Sequence, residues 1–279
     1  MKLSNFPPFP GKPPQKNKLI AEQSYFWDVL HQIEVPFIYY LQKINCITNT
    51  VKFWNYFSRL GKSKTVSFFP LLLYSLGFPD QAKTLAKSLI FYGLFSSFGK
   101  LVMKRRRPGS FPEVFALGCS KSSSFPSRHV IGTTIIAHFI PLEIPLIIMM
   151  ILSRILLGLH YPTDCFVGFF FGRFCLFCSQ FVNDKNLILF LLLLDMRLWR
   201  SAGKICAGVL PIIMAPNISV SKYCSPLFLF YFLFKKLILD KTIEKKSLKE
   251  TMRLLASYCL TVFIIVKSNE FIELSNIKN

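Results

Sequence analysis

The chain has 279 residues, of which 52% are hydrophobic, only 17% are charged and 30 are phenylalanine, and this composition favours a membrane protein over a soluble one. Its 34 Lys and Arg against 14 Asp and Glu give a formal charge of +20, which indicates an anionic partner such as nucleic acid, a lipid headgroup or a phosphorylated substrate. No zinc-finger, RNP or basic-zipper pattern is present, so nucleic acid is excluded as the expected partner.

The apolar segments predict an all-α fold, a polytopic transmembrane helical bundle. A polar and disordered extension is expected at 1–27, followed by a catalytic transmembrane core at 28–182. Candidate helices of this core lie at 28–41, 65–79, 84–104, 129–159 and 163–182. Pro141, Glu143 and Pro145 interrupt the fourth apolar stretch and predict a helical hairpin.

Residues 183–279 are expected to add hydrophobic or interfacial helices and a basic C-terminal region. The apolar pieces of this part are shorter than a usual membrane span and are separated by charges, at 187–196, 204–215, 226–239 and 253–266.

Charged groups inside apolar segments are costly in a membrane and need a reason. Lys100 and Arg107 are seven positions apart and would project from nearly the same face of a helix that Pro108 stops. The cations at 104–107 have a second interpretation, because such a run commonly anchors a helix at the membrane surface.

Ser127, Arg128 and His129 follow Pro126 at the entry of the predicted hairpin. Serine is a favourable N-cap, and the unpaired N–H groups of a helix start can bind an anion. His129 could equally be a structural residue of this helix start.

Ser153, Arg154, His160 and Asp164 lie where the hairpin returns and the next helix begins. A carboxylate that accepts one imidazole N–H fixes the tautomer and leaves the other nitrogen free to attack or to accept a proton. A capped helix junction is the alternative, since residues 161–164 also suit a turn into a helix.

The predicted topology brings these groups to one membrane face. The 84–104 helix ends at this face, and the hairpin leaves it at His129 and returns to it near His160. The cations and the helix start would then hold a phosphate, while two histidines and an aspartate could supply a nucleophile, an orienting group and an acid. No cluster offers the carboxylates of a Mg²⁺ or Ca²⁺ site.

These residues resemble the type 2 phosphatidic acid phosphatase and vanadium haloperoxidase superfamily, whose signatures are K-x6-RP, PSGH and SR-x5-H-x3-D. The matching residues are Lys100-x6-Arg107-Pro108, Pro126-Ser127-Arg128-His129 and Ser153-Arg154-x5-His160-x3-Asp164, within residues 84–182. The strings KLVMKRRRP and SRILLGLHYPTD, the latter followed by FVGFFFG, most resemble the polyisoprenoid (presqualene) diphosphate phosphatase branch.

The resemblance implies that His160 attacks phosphorus, Asp164 orients His160, and His129 protonates the leaving oxygen and then activates water. It also implies that Lys100, Arg107, Ser127 and Arg154 hold the phosphoryl oxygens without a metal or cofactor. Arg128 departs from the family pattern because it replaces the Gly of PSGH, and it would either add a phosphate contact or crowd the site.

The expected function is therefore that of a multi-pass lipid phosphatase in an intracellular membrane such as the endoplasmic reticulum, with isoprenoid diphosphates as the favoured substrates. A sphingoid-base phosphate or phosphatidate phosphatase is the alternative within this class. A catalytically silent membrane scaffold and an anion or lipid transporter are the alternatives of other classes. The sequence leaves the oligomeric state open.

Overall fold

The computed structural model describes residues 25–47, 50–111, 114–117, 122–182 and 213. Across these residues the chain forms helices and connecting loops without a strand, as the sequence predicts. The helices are α1 (Tyr25–Ile47), α2 (Val51–Ser58), α3 (Ser63–Ser75), α4 (Pro79–Val102), α5 (Arg128–Ala137), α6 (Glu143–Leu156) and α7 (Pro162–Phe181), with a short 3-10 turn at Pro108–Ser110.

The predicted helices of the core are present, with shifted ends. The segment predicted at 28–41 is the longer helix α1, and the short helix α2 was not predicted. The first 24 residues of the predicted N-terminal extension lie outside the described residues. So do the four predicted C-terminal pieces, apart from Ile213, which is helical and buried against the core.

Prolines and polar groups set the ends of the helices around the predicted hairpin. Pro79 and Pro162 occupy the first turns of α4 and α7, where a missing N–H costs nothing. Asp164, in the first turn of α7, accepts the N–H of Tyr161 at 3.0 Å and closes the start of that helix. Helix α5, the first arm of the predicted hairpin, ends at Ala137, so this arm rises only about 15 Å.

Helices α4, α5 and α7 pack together in the centre of the fold, and two glycines allow α5 and α7 to approach closely. A Cβ atom at Gly172 would lie 2.6 Å from Cβ of Thr134, and one at Gly168 would lie 3.0 Å from the carbonyl oxygen of Ser127. These two glycines therefore have a packing role.

Helices α4 and α7 are long and apolar enough to cross a membrane. Arg173, in the middle of α7, lies 2.5 Å from Glu143 at the start of α6 and forms an ion pair with it. The Arg173 side chain is 40% exposed, so this pair does not lie in the interior of the bundle. The hairpin turn that contributes Glu143 ends beside the middle of α7, since α5 is so short.

Candidate active site

The segment that follows α4 carries cations into the fold. The predicted common helix face of Lys100 and Arg107 is wrong, because α4 ends at Val102 and the backbone then becomes extended. Side chains alternate along extended backbone. Accordingly Lys104 is exposed, whereas Arg105 is fully buried and Arg107 is half-buried. The charges of Lys100 and Arg107 still interact, although the two residues do not share a helix face.

His160 lies between Arg107 and Asp164 and is only 2% exposed. Its Nε2 atom is 3.3 Å from Nη1 of Arg107, which also donates a 2.8 Å hydrogen bond to the carbonyl of Leu159. Since a guanidinium can only donate, Nε2 must carry the lone pair and Nδ1 the proton. The nitrogen that faces the cations is therefore the one able to act as a nucleophile.

Asp164 is fully buried, and three hydrogen-bond donors hold its two oxygens. Oδ1 accepts a 2.9 Å hydrogen bond from Nη1 of Arg105. Oδ2 accepts from the hydroxyl of Ser124 and from the N–H of Tyr161, and it lies 3.7 Å from Nδ1 of His160. This last distance is longer than a hydrogen bond, so the predicted pair is adjacent but not hydrogen bonded.

Arg105 and Glu34 form a buried ion pair behind Asp164 that the sequence interpretation did not include. Nη2 of Arg105 donates to Oε2 of Glu34, and Nη1 also donates to the hydroxyl of Thr163 at 2.7 Å. Oε1 of Glu34 accepts the backbone N–H of Thr163 at 2.8 Å. The guanidinium lies 4.5 Å from the ring centre of Trp27 and 3.7 Å from that of Tyr161. Helix α1 is thereby fixed to the start of α7.

The start of α5 brings Ser127 and His129 to the same region. Ser127 is the N-cap residue, as predicted, but its side chain makes no capping hydrogen bond. The N–H of Ser127 donates to the carbonyl of Asp164 at 3.1 Å, while its buried hydroxyl makes no hydrogen bond to a described oxygen or nitrogen. His129 packs against the α2–α3 loop. A Cβ atom added at Gly61 in this loop would lie 2.9 Å from Cβ of His129.

Arg107 and Arg154 interact electrostatically with both histidines. Lys62 interacts in addition with His129, and Lys100 with His160. Arg154 is 5% exposed and donates from Nη1 to the hydroxyl of Ser58 at the end of α2. Nζ of Lys100 donates to the carbonyl of Ser123 at 2.5 Å. Side chains from four helices and two loops thus enclose one positively charged site.

Arg128 points from α5 towards α4. Its Nη2 lies 3.4 Å from the hydroxyl of Ser97, one turn before Lys100, and its charge interacts with that of Lys100. Arg128 therefore borders the cationic site on the side of Lys100, rather than on the side of His160.

The electrostatic surroundings favour neutral His160. Burial, together with Arg107, Arg154 and Lys100, holds the pKa of His160 well below its usual range. A neutral imidazole whose Nε2 lone pair faces Arg107, and which Arg154 and Lys100 also influence, can attack an electrophile that these cations attract. Among the residues that the structure describes, no group of three or more His, Cys, Asp and Glu side chains could hold a metal ion.

Sequence reasoning missed the groups that support the site from a distance. Glu34 carries a signal, because a carboxylate in an apolar helix needs a partner. Arg105 cannot be recognised as a buried residue, because its three neighbouring cations make the segment resemble a solvent-exposed run of charges. Ser58 and Gly61 carry no comparable signal, since a short helix and a loop place them.

Residues 81–187 match the sequence model of the PAP2 superfamily, the superfamily that the motifs of this region resemble. The chain is similar to decaprenylphosphoryl-5-phosphoribose phosphatase of Mycobacterium tuberculosis, with 38% identity over 79 residues, or 26% of this chain and 45% of that protein. The protein of the same name from Mycolicibacterium smegmatis is 40% identical over 76 residues, or 25% of this chain and 42% of that protein. The chain thus spans less than half the length of these curated relatives, and no solved structure matches it.

Proposed function

We propose that this protein is a membrane-embedded lipid phosphatase that transfers a phosphoryl group to His160 and then to water. The observation that carries the proposal is the position of His160, whose Nε2 lone pair faces Arg107 within a site that also contains Lys100, Arg154 and His129. Positioned cations supply most of the stabilisation that phosphoryl transfer requires.

In the first step, Nε2 of His160 attacks phosphorus and the bond to the leaving oxygen breaks. Lys100, Arg107, Arg154 and the hydroxyl of Ser127 hold the phosphoryl oxygens, together with N–H groups at the start of α5. The leaving oxygen takes a proton from His129, which must enter this step as an imidazolium, a form that the negative charge of the bound phosphate stabilises. The imidazole gains positive charge as the N–P bond forms, and Asp164 stabilises that charge through Nδ1–H. A movement of less than about 1 Å would bring the pair into hydrogen-bond range, as catalytic contacts often tighten when substrate binds.

In the second step, His129 takes a proton from water, and the resulting hydroxide oxygen attacks phosphorus. The N–P bond breaks, its electron pair returns to Nε2 of His160, and phosphate leaves. The neutral form of His160 is restored and no redox change occurs. The same two histidines therefore complete both half-reactions.

A lipid substrate is supported by the surface around the site. Helices α4 and α7 begin or end at the site and are apolar enough to span a bilayer. Helix α7 exposes at least half of each of five phenylalanines along its length: Phe166, Phe170, Phe174, Phe177 and Phe181. A polytopic bundle would place such a face against lipid and the cations at headgroup level.

An isoprenoid substrate is the favoured choice, because the curated relatives are named as phosphatases of a decaprenylphosphoryl compound. The domain organisation of the proposal follows the sequence, with a catalytic core over 28–182 and further hydrophobic or interfacial helices beyond it. A multi-pass position in an intracellular membrane such as the endoplasmic reticulum completes the proposal.

The test is phosphate release by the full chain in detergent micelles that contain excess EDTA. Farnesyl diphosphate, farnesyl phosphate, sphingosine phosphate and phosphatidate serve as probes. We expect turnover that is highest on a farnesyl compound, competitively inhibited by vanadate, and abolished by His160→Ala. His138→Ala is the matched control, because His138 lies at the hairpin turn, 3.8 Å from Glu143 and away from the cations.

Activity that requires Mg²⁺, or that survives His160→Ala, would disprove the mechanism. Preference for sphingosine phosphate or phosphatidate would replace the isoprenoid substrate by the alternative within the class. Complete absence of turnover would favour a silent scaffold, and uptake of phosphate or a fluorescent phospholipid into liposomes without hydrolysis would favour a transporter.

A further inference from the structure

We propose that Glu34 is a positioning residue, which acts through Arg105 to hold Asp164 in place and to preserve the negative charge beside His160. This inference rests on the proposed function, since it assigns the support of the same site. Glu34 lies on α1, before the stretch at 81–187 that matches the PAP2 superfamily, and thus belongs to a part of the chain that the family match does not cover.

The geometry gives Glu34 two contacts that both lead to the start of α7. Oε2 accepts from Nη2 of Arg105, and Oε1 accepts the N–H of Thr163 at 2.8 Å. Arg105 reaches Asp164 with its other terminal nitrogen at 2.9 Å. Arg105 is fully buried, so no solvent can replace Glu34 as its second partner. A displaced Glu34 would release both the guanidinium and the first turn of α7.

The charges of this network explain why two carboxylates are needed. A buried arginine beside a lone aspartate would cancel its charge, and the aspartate could then do little for an imidazolium. Here one guanidinium is shared by Glu34 and Asp164, so the three groups together keep one negative charge. That charge opposes the cations on the other side of His160. Glu34 therefore keeps Asp164 able to stabilise His160 when the imidazole becomes positive.

Several charged or titratable groups face these residues, and each remains in place in the proposed test. His160 is faced by Arg107 and Lys100 from α4 and the segment after it, by Arg154 from α6, by His129 from α5 and by Asp164 from α7. The hydroxyl of Tyr161 lies 3.1 Å from Nδ1 of His31, and Asp28 also interacts with Tyr161. Asp164 also contacts both Arg105 and the backbone at the start of α7, and it is the residue that Glu34 positions through Arg105.

The experiment compares Glu34→Gln with Glu143→Gln in the full chain. Both changes convert a carboxylate into an amide of the same shape, but Glu143 pairs with the half-exposed Arg173. Steady-state hydrolysis of farnesyl diphosphate is measured from pH 4.5 to 8, with inhibition by vanadate as a measure of the phosphate site. Wild type and His160→Ala are run beside them, because those two decide the proposed function on their own.

For Glu34→Gln we expect kcat to fall roughly tenfold or more, with KM within about twofold. Loss of a negative charge near His160 disfavours the imidazolium, so the acidic limb of the kcat/KM profile should move down by roughly half a pH unit or more. Vanadate inhibition should persist. Glu143→Gln should change neither kcat nor the profile.

An unmoved acidic limb with kcat near the wild-type value would overturn the inference while leaving the proposed function intact. Equal effects of Glu34→Gln and Glu143→Gln would also overturn it, since a general loss of stability would then be the cause. If Glu34→Gln does not fold, Glu34→Asp is the variant that tests the inference. It keeps the negative charge, so the acidic limb should stay in place while kcat falls. An unchanged kcat would refute a positioning role. An inactive wild type, or hydrolysis that survives His160→Ala, would remove the proposed function and this inference together.

Discussion

Nδ1 of His160 lies 3.7 Å from Oδ2 of Asp164 and is the protonated nitrogen of that ring. The tautomer follows from the other side of the ring, where Arg107 can only donate to Nε2. The proposed nucleophile thus has its lone pair directed at the cations and its proton directed at a carboxylate. Neither nitrogen would have to exchange its role before the reaction.

Asp164→Asn should reduce kcat about a thousandfold or more, because the amide cannot stabilise a positively charged imidazole and can select the wrong tautomer. Arg105 keeps Glu34 as a partner, so the fold should survive, with a lower melting temperature. The measurement is steady-state hydrolysis together with thermal unfolding. An Asp164→Asn protein with wild-type kcat would exclude any role of Asp164 in the reaction.

The acidic limb of kcat/KM should lie below pH 6.5. The pKa of His160 is lowered by burial and by Arg107, Arg154 and Lys100, so the nucleophile remains neutral as the pH falls through the range in which an ordinary histidine becomes protonated. Activity is lost only at the lower pH at which His160 takes up its proton. The profile of kcat/KM reports the free enzyme and is the measurement required, after correction for titration of the substrate. A limb centred above pH 6.5 would contradict the expectation.

Ser58→Ala should weaken substrate binding without abolishing turnover. The hydroxyl of Ser58 accepts from Nη1 of Arg154, and its removal leaves a buried guanidinium with one partner fewer. We expect kcat/KM to fall about three- to tenfold, which corresponds to one hydrogen bond of about 1 kcal/mol. Ser67→Ala is the control, because the hydroxyl of Ser67 donates to the carbonyl of Ser63 within its own helix, at 2.7 Å. Equal losses in both variants would show that the effect is not specific to Arg154.

Gly172→Ala should lower the free energy of unfolding by about 1–3 kcal/mol, because the new methyl group would lie 2.6 Å from Cβ of Thr134 and force α5 and α7 apart. A cycle with Thr134→Gly provides the internal control. The double variant should be more stable than the sum of the two single losses predicts, since the second change removes the atom that is crowded. Strict additivity, measured by chemical denaturation in detergent, would place the cost elsewhere.

The sequence was sufficient for the helical fold of the core and for the residues that meet at His160, because motif spacing and apolar periodicity are local signals. It failed where the backbone changes type. The end of α4 at Val102 could not be recognised from a run of four cations, although extended backbone is what separates exposed Lys104 from buried Arg105. The contact between Glu34 and Thr163 joins positions far apart in the chain, and neither residue type alone predicts it. The roles of His160, His129 and Asp164 remain predictions until the variants are measured.

The contact of α1 with Arg105, behind Asp164, has a practical consequence for the choice of expression boundaries. An expression fragment limited to the homologous block at 81–187 would keep every signature motif and still remove Glu34 and Trp27 from around Arg105. In such a fragment the buried guanidinium of Arg105 would have a single acidic neighbour and would lack the Trp27 ring that covers it. Recombinant boundaries should therefore begin upstream of Tyr25.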